Sequence, residues 1–251
     1  MARGRLSRRA PAADAAGPRV TRRRPPRHPP PPWAVAAPAA VRYTRRVTTP
    51  QPLPQSFFAR SALAVARDLI GCAFLFAGAG GRLVETEAYR QDDPCCHGFN
   101  GRTPRNAVLF GPPGHLYVYF TYGMHFCANV ACEEEGVGAG VLLRALVPDA
   151  GAEVMAERRG VGEPRLLASG PARLAQALGI GREHGGLPVW EEPLAILPRE
   201  AARAGGPPPP RVVTTARIGV RGGDQKPWRF VDADSRFLSR PLGRTPILPA
   251  G

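Results

Sequence analysis

Lysine is almost missing from this sequence: Lys226 stands alone against 33 arginines. A Walker-A phosphate loop needs a lysine inside its glycine-rich turn, so that class of nucleotide site is excluded. Schiff-base chemistry on a side chain would have to use Lys226. Long apolar runs are missing too. None reaches the roughly 18–20 residues that a membrane helix needs, so an integral membrane protein of that kind is excluded and no membrane partner is expected. The five cysteines (Cys72, Cys95, Cys96, Cys127 and Cys132) form no C-x-x-C pair. Their odd number, without a secretory signal, predicts reduced thiols and a cytoplasmic location. Pro94-Cys95-Cys96-His97 invites a zinc reading, but two adjacent cysteines cannot both grip one ion comfortably, and the His-x-Glu half of a zinc-deaminase signature is absent. No metal and no cofactor are therefore expected. Gly78-Ala79-Gly80-Gly81 lacks the spacing of a dinucleotide-binding turn.

Proline (30) and glycine (29) are abundant, yet 43% of the 251 residues are hydrophobic, enough to build a core. The net charge of +14 is unevenly spread. Residues 1–50 hold 12 arginines and one aspartate, whereas the other 201 residues hold 22 basic and 19 acidic groups. Residues 1–55 are expected to form a disordered Arg/Pro-rich arm, because Arg22-Arg23-Arg24 and the run Pro29 to Pro32 prevent helix and offer nothing to bury. Ser7-Arg8-Arg9 resembles a twin-arginine export signal, but the apolar stretch from Trp33 to Val41 is short and interrupted by Pro38, which argues against one. A single domain is expected over 56–240 and a flexible tail over 241–251.

Within that domain Ser61 can cap a helix carrying Leu63, Ala66, Leu69 and Ile70, closed by Gly71. Strands are expected at 72–76, 82–89, 116–121, 125–131, 140–146, 212–220 and 228–231, with a turn at 78–81 and a hairpin tip at Tyr122-Gly123. Helices are expected at 152–159 and 171–178, the second with proline in its first turn and Gly179 as its stop. A Pro/Gly loop is expected at 205–210. The pattern predicts an α+β fold: one compact domain with a curved, largely antiparallel sheet and a protruding β-hairpin.

Three segments carry chemistry. In Val84-Glu85-Thr86-Glu87-Ala88-Tyr89, period two puts Glu85, Glu87 and Tyr89 on one strand face, as an active-site wall or as a solvated face with ion pairs. Gly101-Arg102-Thr103-Pro104-Arg105-Asn106 gathers guanidiniums, a hydroxyl and an amide suited to phosphate, or forms an ordinary polar turn. The segment 116–126 carries Tyr117, Tyr119 and Tyr122. Core packing accounts for Tyr117 and Phe126 but poorly for Tyr122, which a Tyr-Gly tip would project outward as a wedge for a base stack. A carboxylate, stacking aromatics, arginines and a wedge together suit extrusion of a nucleotide and chemistry on its base.

These segments, with His97, Asn129, Val141-Leu142-Leu143-Arg144-Ala145, Ser169-Gly170-Pro171, Arg217-Ile218-Gly219-Val220 and Pro227-Trp228-Arg229-Phe230, occur in the order seen in the alkyladenine (3-methyladenine, or methylpurine) DNA glycosylase family. The resemblance runs from about Arg60 to Ser239. It implies that Glu87 is the general base that polarises the attacking water, with Arg144 helping to hold it. It implies that Tyr89, His97 and Tyr119 sandwich the flipped base, and that Asn129 crowds out the exocyclic amine of guanine. Tyr122 would fill the gap in the duplex, while Arg102, Thr103, Arg105 and Met124 would contact the DNA backbone. His125 is read as an exposed strand residue.

The resemblance also implies a monomer acting on double-stranded DNA with damaged purines, of the 3-methyladenine, 7-methylguanine or hypoxanthine type. Lys226 lies beyond the pocket motifs, so hydrolysis without strand cleavage is expected. Two readings compete: a non-catalytic module that binds distorted duplex, and a small-molecule transferase or hydrolase on a related sheet.

Overall fold

A computed structural model describes residues 50–199, 208–220, 226–242 and 248–249. The arginine-rich arm before Pro50 lies outside these residues, as do half of the expected Pro/Gly loop and most of the expected tail over 241–251. Leu53 is already buried, and its amide donates to the Ile196 carbonyl at 2.8 Å.

The fold is α+β, as the element pattern predicts. Nine strands occur among the described residues: β1 (Ala73–Phe76), β2 (Ala79–Tyr89), β3 (Leu116–Thr121), β4 (His125–Ala131), β5 (Gly140–Ala150), β6 (Leu194–Leu197), β7 (Val212–Thr215), β8 (Arg229–Asp232) and β9 (Leu248–Pro249). All pairings are antiparallel. The order is β3-β4-β5-β2-β8-β7-β9, with β1 joining β2 to β6. Strand β2 is therefore central. It pairs with β5 along one edge, and with β1 and then β8 along the other.

Helices α1 (Gln55–Phe58), α2 (Ala62–Asp68), α3 (Ala152–Arg159), α4 (Pro164–Leu167) and α5 (Pro171–Leu178) are short. Their apolar faces and the sheet share one core, in which Val65, Ala66, Leu174 and Leu178 meet Phe74, Leu83, Leu116 and Leu143. Helix α5 follows the sequence closely. Pro171 sits in its first turn, and Gly179 closes it at φ 71°, a left-handed conformation suited to glycine.

Three local expectations change. Residues 79–81 belong to β2 and are not part of a turn; the turn is confined to Ala77-Gly78. The glycines serve close approach: a Cβ on Gly80 would lie 2.0 Å from the Phe74 carbonyl oxygen, and one on Gly81 would lie 1.8 Å from that of Val147. Ser61 precedes α2 but makes no side-chain cap; a Glu133 carboxylate oxygen accepts from the Ala62 amide at 3.1 Å in its place. The strand expected over 212–220 stops at Thr215, because the chain then leaves the sheet toward Glu87. No helix among the described residues is long and apolar enough to cross a membrane.

Candidate active site

Because β2 is central, its carboxylates cannot reach solvent. Glu85 and Glu87 are both fully buried, so the solvated-face reading fails. Thr86, between them, points the other way and donates to the Ala66 carbonyl of α2 at 2.8 Å. Burying two carboxylates requires paired charge. Arg144 on β5 supplies it to both: Nε donates to Glu85 at 2.7 Å and Nη1 to Glu87 at 3.0 Å. Arg229 on β8 donates from Nε to Glu85 at 2.9 Å. Ser239 adds its amide at 2.6 Å and its hydroxyl at 2.7 Å.

Burial on its own would raise the Glu85 pKa. The Arg144 and Arg229 guanidiniums, with hydrogen bonds from Arg229 and Ser239, outweigh it and hold the carboxyl below its ordinary range. Glu85 is thus a structural hub. Glu87 is placed differently. One oxygen accepts from Arg144 and from the Tyr89 hydroxyl at 2.9 Å, the other from the Ile218 amide at 2.7 Å. Both oxygens only accept, as a carboxylate does. Burial, and then the Glu87 charge, push the Tyr89 phenol far above its usual pKa, so it keeps the proton it donates.

Beside this cluster lies a cavity of about 260 Å³, lined by Tyr89, His97, Tyr117, Tyr119 and Asn129, together with Pro94, Cys95 and Cys96. All four expected base-pocket residues meet there. Glu87 and Arg144 do not line it; Glu87 stands one hydrogen bond behind the Tyr89 hydroxyl and Arg144 one further. The volume falls below the roughly 300–1,000 Å³ of drug-sized sites, which suits a single heterocycle. The His97 and Tyr119 rings meet edge to face at 4.5 Å, and the Tyr117 and Tyr119 rings tilt by 30° at 5.8 Å. Burial, and then the Arg105 charge, lower the His97 pKa from 6.5, so the ring is neutral at pH 7.

Several residues that matter were hidden in the sequence. Tyr117 is buried, as a core residue should be, but its hydroxyl lies 3.0 Å from His97 Nδ1 and fixes that ring. Its i, i+2 spacing from Tyr119 was the available signal. Asn106 belongs inside the loop rather than on its surface: Nδ2 donates to the carbonyls of His97 at 2.7 Å and Gly101 at 3.0 Å. The Thr103 hydroxyl is spent on Asn106 Oδ1 at 2.9 Å. Arg102 and Arg105 are exposed, and Arg105 Nη2 donates to the Phe120 carbonyl at 3.3 Å. Nothing in the sequence marked Ser239 as a partner of Glu85, or Asp93, whose buried carboxylate accepts from Arg217 Nη1. Among the described residues, no group of three or more His, Cys, Asp or Glu could hold a metal ion.

The β3–β4 hairpin presents Tyr122 and Met124, which are 81% and 68% exposed, with His125 exposed beside them. Tyr122 has φ 50° and Gly123 φ 66°, and the Met124 amide donates to the Thr121 carbonyl at 3.2 Å. Two successive positive φ values are those of a type I′ turn, whose first position prefers Asn or Gly. A bulky tyrosine there carries strain of about 1–3 kcal/mol. Neither packing nor local geometry explains its presence.

Comparison with known proteins agrees with this geometry. The family described as "Methylpurine-DNA glycosylase (MPG)" matches the chain over residues 56–236. A protein from Rhodopseudomonas palustris (strain ATCC BAA-98 / CGA009), named "Putative 3-methyladenine DNA glycosylase", is 51% identical over 192 residues, covering 76% of this chain and 90% of its own. A relative of the same name from Nitrosospira multiformis is 47% identical over 195 residues, covering 78% of this chain and 97% of its own. One from Agrobacterium fabrum is 49% identical over 189 residues, covering 75% and 92%. With the family matched over the strands that carry Glu85, Glu87, Arg144 and Arg229, the aromatic cavity and the exposed hairpin, this chain belongs to the methylpurine-DNA glycosylase family.

Proposed function

We propose that the protein extrudes alkylated purines, of the 3-methyladenine and 7-methylguanine type, and deaminated purines such as hypoxanthine from double-stranded DNA. It then hydrolyses the N-glycosidic bond with water. The observation that carries this reading is the single cavity wall shared by an aromatic pocket and a buried carboxylate: Tyr89 lines the one and donates to the other.

Electron-rich rings attract a cationic alkylpurine. As the base leaves, the sugar gains oxocarbenium character. Glu87 stabilises that charge and polarises the incoming water, while Arg144 keeps the carboxylate aligned. His97 is neutral at pH 7 and can donate one hydrogen bond toward the bound base while Tyr117 holds its other nitrogen. Asn129 is anchored by Nδ2 to the Tyr117 carbonyl at 3.2 Å and bounds the pocket against the exocyclic amine of guanine. Exposed Arg102 and Arg105 meet phosphates, with Thr103 shaping their loop and Met124 on the hairpin beside the duplex. Tyr122 fills the gap left by the flipped nucleotide. Action as a monomer is part of the same proposal.

Lys226 supports a purely hydrolytic reaction. It does not line the cavity, and its amine stands 4.5 Å from the Trp228 ring centroid. The product is an abasic site on an intact strand. The direct test is a panel of duplexes, each with one lesion, scored for base release and for backbone nicking. Release of free alkylpurine without borohydride-trappable cleavage is expected; no release from any lesion would sink the assignment.

Two further outcomes are expected. Tyr122→Asn should relieve the turn and raise stability by up to about 1 kcal/mol, while weakening excision from intact duplex more than from single strands. Thermal melts and single-turnover rates check both halves. His97 should titrate below 6.5 when followed by NMR. Since the folded protein binds this proton less tightly than the unfolded chain does, His97 weakens the fold as pH falls below 6.5. A titration midpoint above 6.5 would contradict the buried, Arg105-facing environment.

A further inference from the structure

We propose that Arg217 is a positioning residue that sets how the pocket discriminates between cationic and neutral bases, by holding a positive charge against the face of Tyr89. This rests on the reading of the cavity as the base pocket.

The Arg217 side chain is only 1% exposed. Nη1 donates to the Asp93 carboxylate and, at 3.2 Å, to the Ala88 carbonyl. The guanidinium carbon stands 4.6 Å from the Tyr89 ring centroid and 5.1 Å from that of Trp228. Nε and Nη2 are buried without a hydrogen-bond partner among the described residues. Solvation by hydrogen bonds is therefore incomplete, and the ring faces take its place. Tyr89 lines the cavity and Arg217 does not, which is the ground for placing the cation behind the ring as seen from the cavity.

Arg217 also joins the parts of the site. Ala88 belongs to β2, and Asp93 accepts from the Cys95 amide at 3.2 Å in the loop that leads to His97. The next residue, Ile218, donates to Glu87. An apolar filler would serve such a junction at lower desolvation cost, since replacing buried ion pairs by apolar residues is often neutral or stabilising. The charge has a further consequence. A cation behind the ring draws π-density away from the cavity side and repels a positive charge beyond it. Asp93 offsets part of this field. The pocket thereby favours alkylpurine cations less than its rings alone would, and neutral purines gain in proportion.

The test compares single-turnover release of 7-methylguanine, a cation, and hypoxanthine, which is neutral, from otherwise identical duplexes by the full chain. Asp93→Asn/Arg217→Gln removes both charges and keeps hydrogen-bonding groups. Asp93→Leu/Arg217→Met is the apolar version, should the first fail to fold. Arg217→Lys keeps the charge. The neutral pairs should raise the 7-methylguanine-to-hypoxanthine rate ratio by about threefold or more, the scale of a charge pair separated by a ring and partly screened. Arg217→Lys should leave the ratio near that of the parent even if both rates fall. An equal fall for both bases in a folded neutral pair, or the same ratio change in Arg217→Lys, would show a scaffold role alone and overturn the proposal. A parent protein that releases neither base would instead defeat the base-pocket reading, and the inference with it.

Discussion

Glu87→Gln should fold, bind lesion-containing duplex nearly as well as the parent, and release bases about 100- to 10,000-fold more slowly, the range for loss of a positioned general base. Glu87 accepts three hydrogen bonds, two on one oxygen and one on the other. A glutamine amide keeps its carbonyl oxygen for Tyr89 and Arg144 and turns its NH₂ toward the Ile218 amide. One hydrogen bond is lost, at about 1–3 kcal/mol, and Arg144 retains Glu85 as its partner. The loss in rate should therefore far exceed the loss in stability. Single-turnover release and binding to the same duplex separate the two. Release at the normal rate would remove Glu87 from the chemistry and favour a module that only recognises distorted DNA.

Glu85→Ala should act in the opposite way, through the fold. It removes the acceptor shared by Arg144, Arg229 and Ser239, and leaves two buried guanidiniums undercompensated. Breaking a buried ion pair from one side costs about 3–5 kcal/mol, which for a domain of this size lowers Tm by roughly 10 °C. A pH signature goes with it. The folded Glu85 pKa lies below the ordinary 4.5, so its stabilisation is complete above 4.5 and is lost as pH falls through the folded value. Melts from pH 7 downward should show the parent losing stability in that acid window and the variant losing less of it. Equal Tm values at pH 7 would mean that Arg144 and Arg229 do not depend on Glu85.

The two glutamates show where sequence reading ends. Their shared face follows from period two, and Arg144 bonding to both confirms it. The sequence cannot tell that this face is sealed, because β2 is flanked there by β5 and β8, whose residues opposite Glu85, Ala145 and Val231, lie 60 and 146 positions further along the chain. The same holds for the loop at 101–106, where composition names the polar groups but only folding spends Asn106 on the His97 carbonyl. Glycine at 80 and 81 reads as a turn because the close approach of Phe74 and Val147 is a pairing effect.

What the sequence by itself determined is what local rules control: the α+β class, the hairpin with its exposed tyrosine, the proline-led, glycine-stopped helix α5, and the ordered motifs that carry Glu87, Tyr89, His97, Tyr119 and Asn129. What only the tertiary structure decided is which polar groups face one another. Arg217 and Asp93 are 124 residues apart, and Glu85 and Ser239 are 154 apart. A buried charge is stable only beside its counter-charge, so those distant pairings separate two similar carboxylates: Glu85 gathers Arg144, Arg229 and Ser239, while Glu87 takes the Tyr89 hydroxyl and the Ile218 amide.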